Sequence, residues 1–163
     1  MENVVVNEAL CTQLAQALAR RHWTLATAES CTGGLIAAAC TALSGSSVWF
    51  ERGFVTYSNE AKTECLGVAA ALIRDHGAVS EAVVRAMAGG ALAHSHAHVS
   101  VAVTGVAGPT GGSADKPVGM VWFGWSVDGR VAAEVQHFAG DRAAVRAATV
   151  EHALRLLLRH LTR

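Results

Sequence analysis

The sequence is short of charged residues and of proline. Charged residues make up 16% of the 163 positions, and proline occurs twice. The 13 basic residues balance 13 acidic ones, so the formal net charge is zero at neutral pH. With 52% hydrophobic residues, the chain does not have the composition of a disordered protein. Because the chain has no excess of positive charge to attract phosphate backbones, nucleic acid is not expected as a partner.

The features that export or membrane insertion requires are also missing. The first ten residues contain Glu2 and Glu8 and no basic residue, unlike a signal peptide. No hydrophobic run approaches the roughly 18–20 residues that span a bilayer. Four cysteines occur without C-x-x-C spacing, which is typical of reduced, buried thiols. We therefore expect a cytoplasmic protein without a membrane partner, folded as a single domain over residues 1–163.

Hydrophobic periodicity predicts alternating helices and strands. The expected helices cover 8–22, 35–43, 60–66, 69–76, 80–94 and the segment that follows Asp141, and the expected strands cover 23–28, 52–57, 98–103, 119–127 and 130–138. The last two strands flank Asp128-Gly129, which is typical of a tight hairpin turn. This order predicts an α/β fold, a three-layer α/β/α sandwich with a mixed, mainly parallel sheet and a C-terminal antiparallel hairpin.

A polar turn follows the first predicted strand. Residues 30–34 read Ser-Cys-Thr-Gly-Gly and precede a predicted helix. Free N–H groups and the dipole at a helix start favour anions, so this turn suits a nucleophile, an oxyanion or a phosphate group. The alternative is that Ser30 or Thr32 only caps the helix. The pattern is not the G-x-S-x-G elbow of α/β hydrolases, because Ala28 stands two residues before Ser30.

A tyrosine and a lysine mark a second candidate position. Tyr57 is the single tyrosine, and Lys62 is one of two lysines. Ser58 and Asn59 are both candidate caps of the helix at 60–66. If Asn59 is the cap, Lys62 lies in the first turn, where the helix dipole together with partial burial lowers the pKa of an amine. Such an amine suits a general base, and the alternative is a surface lysine balanced by neighbouring glutamates. A Tyr-x-x-x-Lys dehydrogenase is excluded, because the spacing differs and no G-x-G-x-x-G motif is present.

The third candidate position is a glycine-rich segment at 104–113, directly after the predicted strand 98–103. Backbone N–H groups exposed by glycines can surround a phosphate group, although the G-x-x-x-x-G-K-[ST] motif of NTPases is absent. The alternative is a mobile surface connection.

Two further possibilities are weaker. His94, His96 and His98 alternate as zinc ligands on an extended strand would, but solvated residues at a helix-to-strand junction explain them as well. Cys31 at a helix start suits a thiolate nucleophile, but a small buried residue is the simpler interpretation.

Several segments, taken together, resemble one family. They read Thr-Ala-Glu-Ser-Cys-Thr-Gly-Gly at 27–34, Gly-Ser-Ser-Val-Trp-Phe-Glu-Arg-Gly-Phe-Val-Thr-Tyr-Ser-Asn-Glu-Ala-Lys at 45–62, Gly-Ala-Val-Ser at 77–80 and Thr-Gly-Val-Ala-Gly-Pro at 104–109. Over nearly its whole length the chain resembles the CinA C-terminal domain family, whose stand-alone members are nicotinamide-nucleotide amidases. The resemblance implies hydrolysis of the carboxamide of nicotinamide mononucleotide to nicotinate mononucleotide and ammonia, with no cofactor and no metal.

The resemblance also implies roles for particular residues. Ser30 matches the family's serine nucleophile, Lys62 the lysine that activates it, and Tyr57 the neighbouring hydroxyl that helps proton transfer or orientation. The oxyanion is then expected at backbone N–H groups of the 30–34 turn or of the 104–108 loop.

The substrate's ribose phosphate is expected to contact polar residues of the turn and loop and one arginine. This set is Thr32, Gly33, Gly34, Thr104, Gly105 and Arg142. Arg142 belongs to it because a guanidinium can bind phosphate bidentately, and the alternative is that it neutralises a surface carboxylate.

The sequence leaves two other functions open. One is a non-catalytic nucleotide-binding or competence-associated interaction module, which has no need of a hydroxyl and an amine close together. The other is a serine–lysine hydrolase of a different small amide. A homo-oligomer is expected from the family's example and the low charge.

Overall fold

Helices and strands alternate along the chain in the computed structural model, which describes residues 2–163. The α-helices are α1 (Glu2–Arg21), α2 (Leu35–Thr41), α3 (Asn59–Leu66), α4 (Ala70–His76), α5 (Glu81–Ala93) and α6 (Arg142–Leu161). The strands are β1 (Leu25–Glu29), β2 (Phe50–Val55), β3 (Val99–Gly105), β4 (Met120–Val127) and β5 (Arg130–His137), and a single turn of 3-10 helix covers Ser46–Val48. No helix within the described range is both long and apolar enough to cross a bilayer.

The strands form one five-stranded sheet in the order β2-β1-β3-β4-β5. Strand β1 pairs in parallel with β2 and with β3, whereas β4 is antiparallel to both β3 and β5. The predicted mixed sheet is therefore confirmed, with its parallel part in the first three strands and the hairpin at the end.

Two hydrophobic cores lie on opposite faces of the sheet. On one face, side chains such as Leu25, Val101 and Phe123 pack against α1, α2 and α6. On the other face, small residues such as Ala28 and Ala102 pack against α5 and its neighbours. Small side chains allow a helix to approach the sheet closely, because little volume separates the two backbones. The predicted three-layer sandwich is confirmed.

The hairpin turn has the backbone conformation that its sequence predicts. Asp128 and Gly129 both have positive φ angles, 54° and 73°. A two-residue turn of this kind matches the twist of the two strands it joins, and Asn-Gly or Asp-Gly supplies it most easily.

Some predicted boundaries were wrong. Helix α1 begins at Glu2 instead of residue 8, and β2 begins at Phe50 instead of residue 52. The residue that caps α3 is Ser58, whose hydroxyl accepts a hydrogen bond from the Ala61 N–H at 3.0 Å, and Asn59 is the first helical residue. Asp141 caps α6 as expected, accepting from the Ala144 N–H at 2.9 Å.

Two adjacent glycines of α5 give a matched test of the close packing between helices. A Cβ atom at Gly90 would overlap the carbonyl oxygen of Leu66, whereas a Cβ atom at Gly89 meets nothing within 4 Å. We expect Gly90→Ala to lower the free energy of unfolding by about 2 kcal/mol through overpacking. Gly89→Ala should raise it by up to about 1 kcal/mol, because alanine is the better helix former. Urea denaturation of both variants checks this, and equal effects would contradict it.

Candidate active site

A cavity of about 350 Å³ opens at the carboxyl ends of β1 and β3. In the sheet, β2 lies on one side of β1 and β3 lies on the other, so the connections that follow β1 and β3 lead to opposite sides. Open α/β sheets bind ligands at such a point. The cavity is lined by residues from the turn after β1, from α3 and the segment before it, from the α4–α5 connection, from the end of β3 and the loop after it, and from α6, namely Ser30, Cys31, Tyr57, Asn59, Lys62, Ala78, Val79, Thr104, Gly105, Val106, Ala107, Gly108, Thr110, Gly111 and Arg142. Its volume falls within the usual range for small-molecule sites.

The alternation of side chains along β1 directs two neighbouring residues to opposite sides of the sheet. Successive side chains of a strand point to opposite faces. Glu29 therefore points toward α2, while Ser30 points toward α3. The Ser30 N–H still donates to the Val103 carbonyl at 3.1 Å, so Ser30 is held by the sheet although it lies one residue beyond β1.

Lys62 is buried, with only 1% of its surface exposed. Its Nζ lies 2.9 Å from Ser30 Oγ and donates to the carbonyl oxygens of Thr56 at 2.8 Å and Tyr57 at 3.2 Å. No carboxylate within the described residues forms an ion pair with it. The alternative of a solvated surface lysine balanced by Glu60 and Glu64 is therefore wrong.

Burial lowers the pKa of the Lys62 amine below its ordinary value of 10.5, because desolvation penalises the charged form. The nearby Cys31 thiol acts in the opposite direction. The sequence suggested the helix dipole together with partial burial as the sources of this shift, and burial is the main cause in the structure.

The three partners of the Lys62 amine suit both of its protonation states. A neutral amine has two N–H donors and one lone pair, and carbonyl oxygens can only accept. The Thr56 and Tyr57 carbonyls therefore take the two N–H groups, and the lone pair is left for the hydroxyl hydrogen of Ser30. After protonation, all three partners accept. The pair can thus exchange a proton without moving its neighbours.

The turn after Ser30 is held by Glu29, a residue that the sequence reasoning did not single out. Its carboxylate is 1% exposed and accepts hydrogen bonds from the Thr32 hydroxyl at 2.5 Å, the Ile36 N–H at 2.8 Å and the Ala37 N–H at 3.0 Å. Gly34 adopts the left-handed conformation at the start of α2 and offers no side-chain cap. The available signal was an acidic residue at the end of a buried, otherwise uncharged strand.

This contact changes the interpretation of the turn at 30–34. The first N–H groups of α2 bind the Glu29 carboxylate, so they are not free for a substrate anion. An anion site at the N–H groups of Ile36 and Ala37 is therefore excluded, while the expected oxyanion contact with the N–H groups of the 30–34 turn itself stays a prediction. The simple alternative, in which Ser30 or Thr32 caps the helix, is also wrong, because the cap is Glu29.

The other side of the cavity is formed by the β3–β4 loop and the start of α6. Thr104 donates to the Ala78 carbonyl at 3.0 Å. Arg142 donates to the Gly108 carbonyl at 2.9 Å, and its second terminal nitrogen lies 3.4 Å from the Tyr57 hydroxyl. The loop is therefore anchored to α6, and a guanidinium group lies on the cavity wall.

The candidate residues from the sequence separate into two groups. Those that line the cavity are Ser30, Tyr57, Lys62, Thr104, Gly105 and Arg142. Those that form the turn behind the cavity are Thr32, Gly33 and Gly34, with the Thr32 hydroxyl directed to Glu29. The Tyr57 side chain is 62% exposed at the rim, and its backbone carbonyl contacts Lys62.

The structure gives the weaker candidates ordinary roles. Burial raises the pKa of the Cys31 thiol to about 11, so this cysteine is not a ready thiolate. His98 accepts a hydrogen bond from the Thr24 N–H, and His94 contacts the Gly90 carbonyl. Within residues 2–163 no cluster of three potential metal ligands is found. The four cysteines are free as expected, although Cys65 is exposed.

These features define an α/β protein in which a serine hydroxyl and a buried amine are in contact at one cavity, an arrangement suited to acyl transfer. The model of the CinA C-terminal domain matches residues 7–161. The chain belongs to the CinA C-terminal domain family, so the resemblance noted in the sequence is confirmed.

The chain is similar to curated and solved proteins over most of its length. It is 54% identical over 151 residues to the nicotinamide-nucleotide amidohydrolase PncC of Enterobacter agglomerans, covering 92% of each chain. It is 51% identical over 149 residues to the protein of that name from Escherichia coli K12, covering 91% of this chain and 90% of the relative. The crystal structure of competence damage-inducible protein A (ComA) from Klebsiella pneumoniae superposes with a TM-score of 0.93 at 43% identity, covering 96% of this chain and 98% of that one.

The Glu29 contacts lead to a prediction about stability. In Glu29→Gln, one acceptor oxygen is replaced by an amide NH2 group. This group is a donor, and it faces the N–H donor of Ile36 or Ala37. We expect the free energy of unfolding to fall by about 2 kcal/mol, since a charged, buried acceptor is lost. Glu60→Gln, at the exposed first turn of α3, should change it by less than about 0.5 kcal/mol. Urea denaturation measures both, and equal small effects would show that Glu29 does not hold the turn.

Proposed function

We propose that this protein is a nicotinamide-nucleotide amidohydrolase that uses a serine nucleophile and a lysine base. The observation that carries the proposal is the buried contact between Lys62 Nζ and Ser30 Oγ at 2.9 Å. The printed names of the relatives from Enterobacter agglomerans and Escherichia coli support the substrate class.

The first step is acylation of Ser30. Neutral Lys62 takes the hydroxyl proton through its lone pair, and the Ser30 oxygen attacks the carboxamide carbon of nicotinamide mononucleotide. The amine then returns the proton to the departing nitrogen, and ammonia leaves. The result is a nicotinoyl ester on Ser30, with the C–N bond broken and a C–O bond formed.

The second step is hydrolysis of that ester. Lys62 takes a proton from a water molecule, which attacks the acyl carbon, and the proton returns to Ser30 as the ester C–O bond breaks. The negative oxygen of both tetrahedral intermediates needs hydrogen-bond donors. Cys31, Ala107 and Gly108 line the cavity, and none of their backbone N–H groups has a hydrogen-bond partner within the described part of the chain. We assign the oxyanion to this group.

The ribose phosphate is assigned to the side of the cavity that contains Arg142. Two of its five N–H donors contact Gly108 and Tyr57, which leaves others for phosphate oxygens. Thr104 and Gly105 line the same cavity as this arginine and Ser30, and we assign them to contacts with the ribose phosphate. Tyr57 contacts both Lys62 and Arg142: its carbonyl accepts a hydrogen bond from the Lys62 amine, and its hydroxyl lies near the Arg142 guanidinium. We assign it to orientation of the bound nucleotide.

Replacing either member of the pair should abolish turnover. We expect Ser30→Ala and Lys62→Met to lower kcat/KM for nicotinamide mononucleotide by more than about a thousandfold, because the nucleophile or its base is lost. Methionine fills the volume of the buried lysine stem, so the fold is retained. Lys116→Met is the matched control, since the amine of Lys116 only contacts the His76 carbonyl, and it should stay within about twofold of wild type.

The measurement is ammonia release with EDTA present throughout, with nucleotide binding followed by calorimetry. Near-normal turnover in Lys62→Met would contradict the lysine base. Binding without release by the wild type would favour a nucleotide-binding module instead.

The depressed pKa of Lys62 predicts the pH dependence of the reaction. The reactive form is the neutral amine, so kcat/KM should rise with pH and level off above an apparent pKa lower than 10.5. A pH–rate profile of the wild type tests this. KM is measured at each pH as well, so that the titration of the substrate phosphate can be separated from that of the amine. A rate that is flat between about pH 6 and pH 9 would contradict a base of this kind.

A further inference from the structure

Arg146 contacts the turn that follows Ser30. It lies on α6, and its Nε donates to the Cys31 carbonyl at 3.1 Å while Nη2 donates to the Thr32 carbonyl at 3.3 Å. No carboxylate among residues 2–163 forms an ion pair with its guanidinium. The charge of Arg146 is therefore directed at two successive peptide groups beside the nucleophile.

The contacts of Arg146 fix two successive peptide groups of the turn, the one between Cys31 and Thr32 and the one between Thr32 and Gly33. In a trans peptide the C=O and N–H bonds point in opposite directions, because the group is planar. The Ser30 carbonyl accepts from the Gly33 N–H at 3.1 Å, and the next two carbonyls bind Arg146. The Thr32 N–H therefore faces away from Arg146, while the Cys31 N–H faces away from Gly33, the partner of the Ser30 carbonyl. Within the described chain neither N–H group has a hydrogen-bond acceptor.

We propose that Arg146 is a positioning residue of the amidase reaction: its guanidinium holds the two peptide groups that follow Cys31, and this keeps Ser30 and the free Cys31 N–H aligned with the forming oxyanion. The inference rests on the proposed function. Arg146 does not line the cavity, so it acts through the turn and does not touch the substrate.

Glu29 holds the same turn independently, through Thr32, Ile36 and Ala37. Removing Arg146 therefore leaves the turn attached to the protein at one end, and the fold should survive. The effect is expected in kcat, because alignment in the transition state is lost while the phosphate contact at Arg142 is unchanged.

The test compares Arg146→Ala and Arg146→Lys with Arg155→Ala. Arg155 lies on the same helix and contacts only Glu151, on the surface. We expect Arg146→Ala to lower kcat about 10-fold to 100-fold with KM within about twofold. Arg146→Lys should recover part of the loss because the positive charge is kept, and only part because an ammonium lacks the planar fork of guanidinium. Free guanidinium ion at sub-denaturing concentration should partly restore Arg146→Ala, and Arg155→Ala should match the wild type.

Unchanged kcat in Arg146→Ala would overturn the proposal. The proposal would also be overturned if kcat fell in proportion to the free energy of unfolding and free guanidinium did not restore it. A purely structural role of Arg146 predicts that result. If Arg146→Ala does not fold, Arg146→Lys is scored by the same kcat and KM criteria.

A second readout separates this inference from the choice of substrate. An aryl sulfonyl fluoride attacks through the same nucleophile: the Ser30 oxygen forms an S–O bond, fluoride leaves, and Lys62 takes the proton. Its labelling rate, followed by mass spectrometry, should fall in Arg146→Ala and not in Arg155→Ala. Absence of ammonia release by the wild type would contradict the proposed function alone, whereas unchanged labelling in Arg146→Ala would contradict the positioning role.

Discussion

The buried amine of Lys62 is the constraint on which the site depends. An amine removed from water costs free energy unless its donors and lone pair find partners, and its partners here are Ser30 and two backbone carbonyls, Thr56 and Tyr57. Ser30 follows β1, and Thr56 and Tyr57 follow β2, the strand that pairs in parallel with β1. Lys62 itself lies on α3. The Thr56 N–H donates to the Glu29 carbonyl at 2.9 Å, so the strand register itself brings the partners together.

Two side chains of opposite charge hold the turn that follows Ser30. Glu29 takes the N–H groups at the start of α2, and Arg146 takes the carbonyls of Cys31 and Thr32. Each buried or half-buried charge is matched by the backbone dipoles of the turn, so neither needs an ion-pair partner. Because the N–H groups of Ile36 and Ala37 at the start of α2 already bind the Glu29 carboxylate, we assign binding of the substrate phosphate to Arg142 on the cavity wall.

Much of the fold and part of the site could be predicted from the sequence. The order of elements, the hairpin at Asp128-Gly129 and the cap at Asp141 depend on local patterns, and all three are found. Ser30 and Lys62 were chosen separately by residue type and position, and the structure brings them within 2.9 Å. Glu29 and Arg146 were missed, because their partners lie elsewhere in the chain and no spacing pattern marks them. The expected homo-oligomer and cytoplasmic location stay predictions.

The sequence by itself determined what depends on neighbouring residues: hydrophobic periodicity, helix capping, the positive φ angles of the hairpin turn and the alternation that turns Glu29 and Ser30 to opposite faces. The tertiary structure alone decided the burial of Lys62, the lowered pKa that follows from it, and the occupation of the first N–H groups of α2 by Glu29. The physical reason is that desolvation and hydrogen-bond pairing are properties of the surroundings, and the surroundings of each group come from segments far apart in the chain.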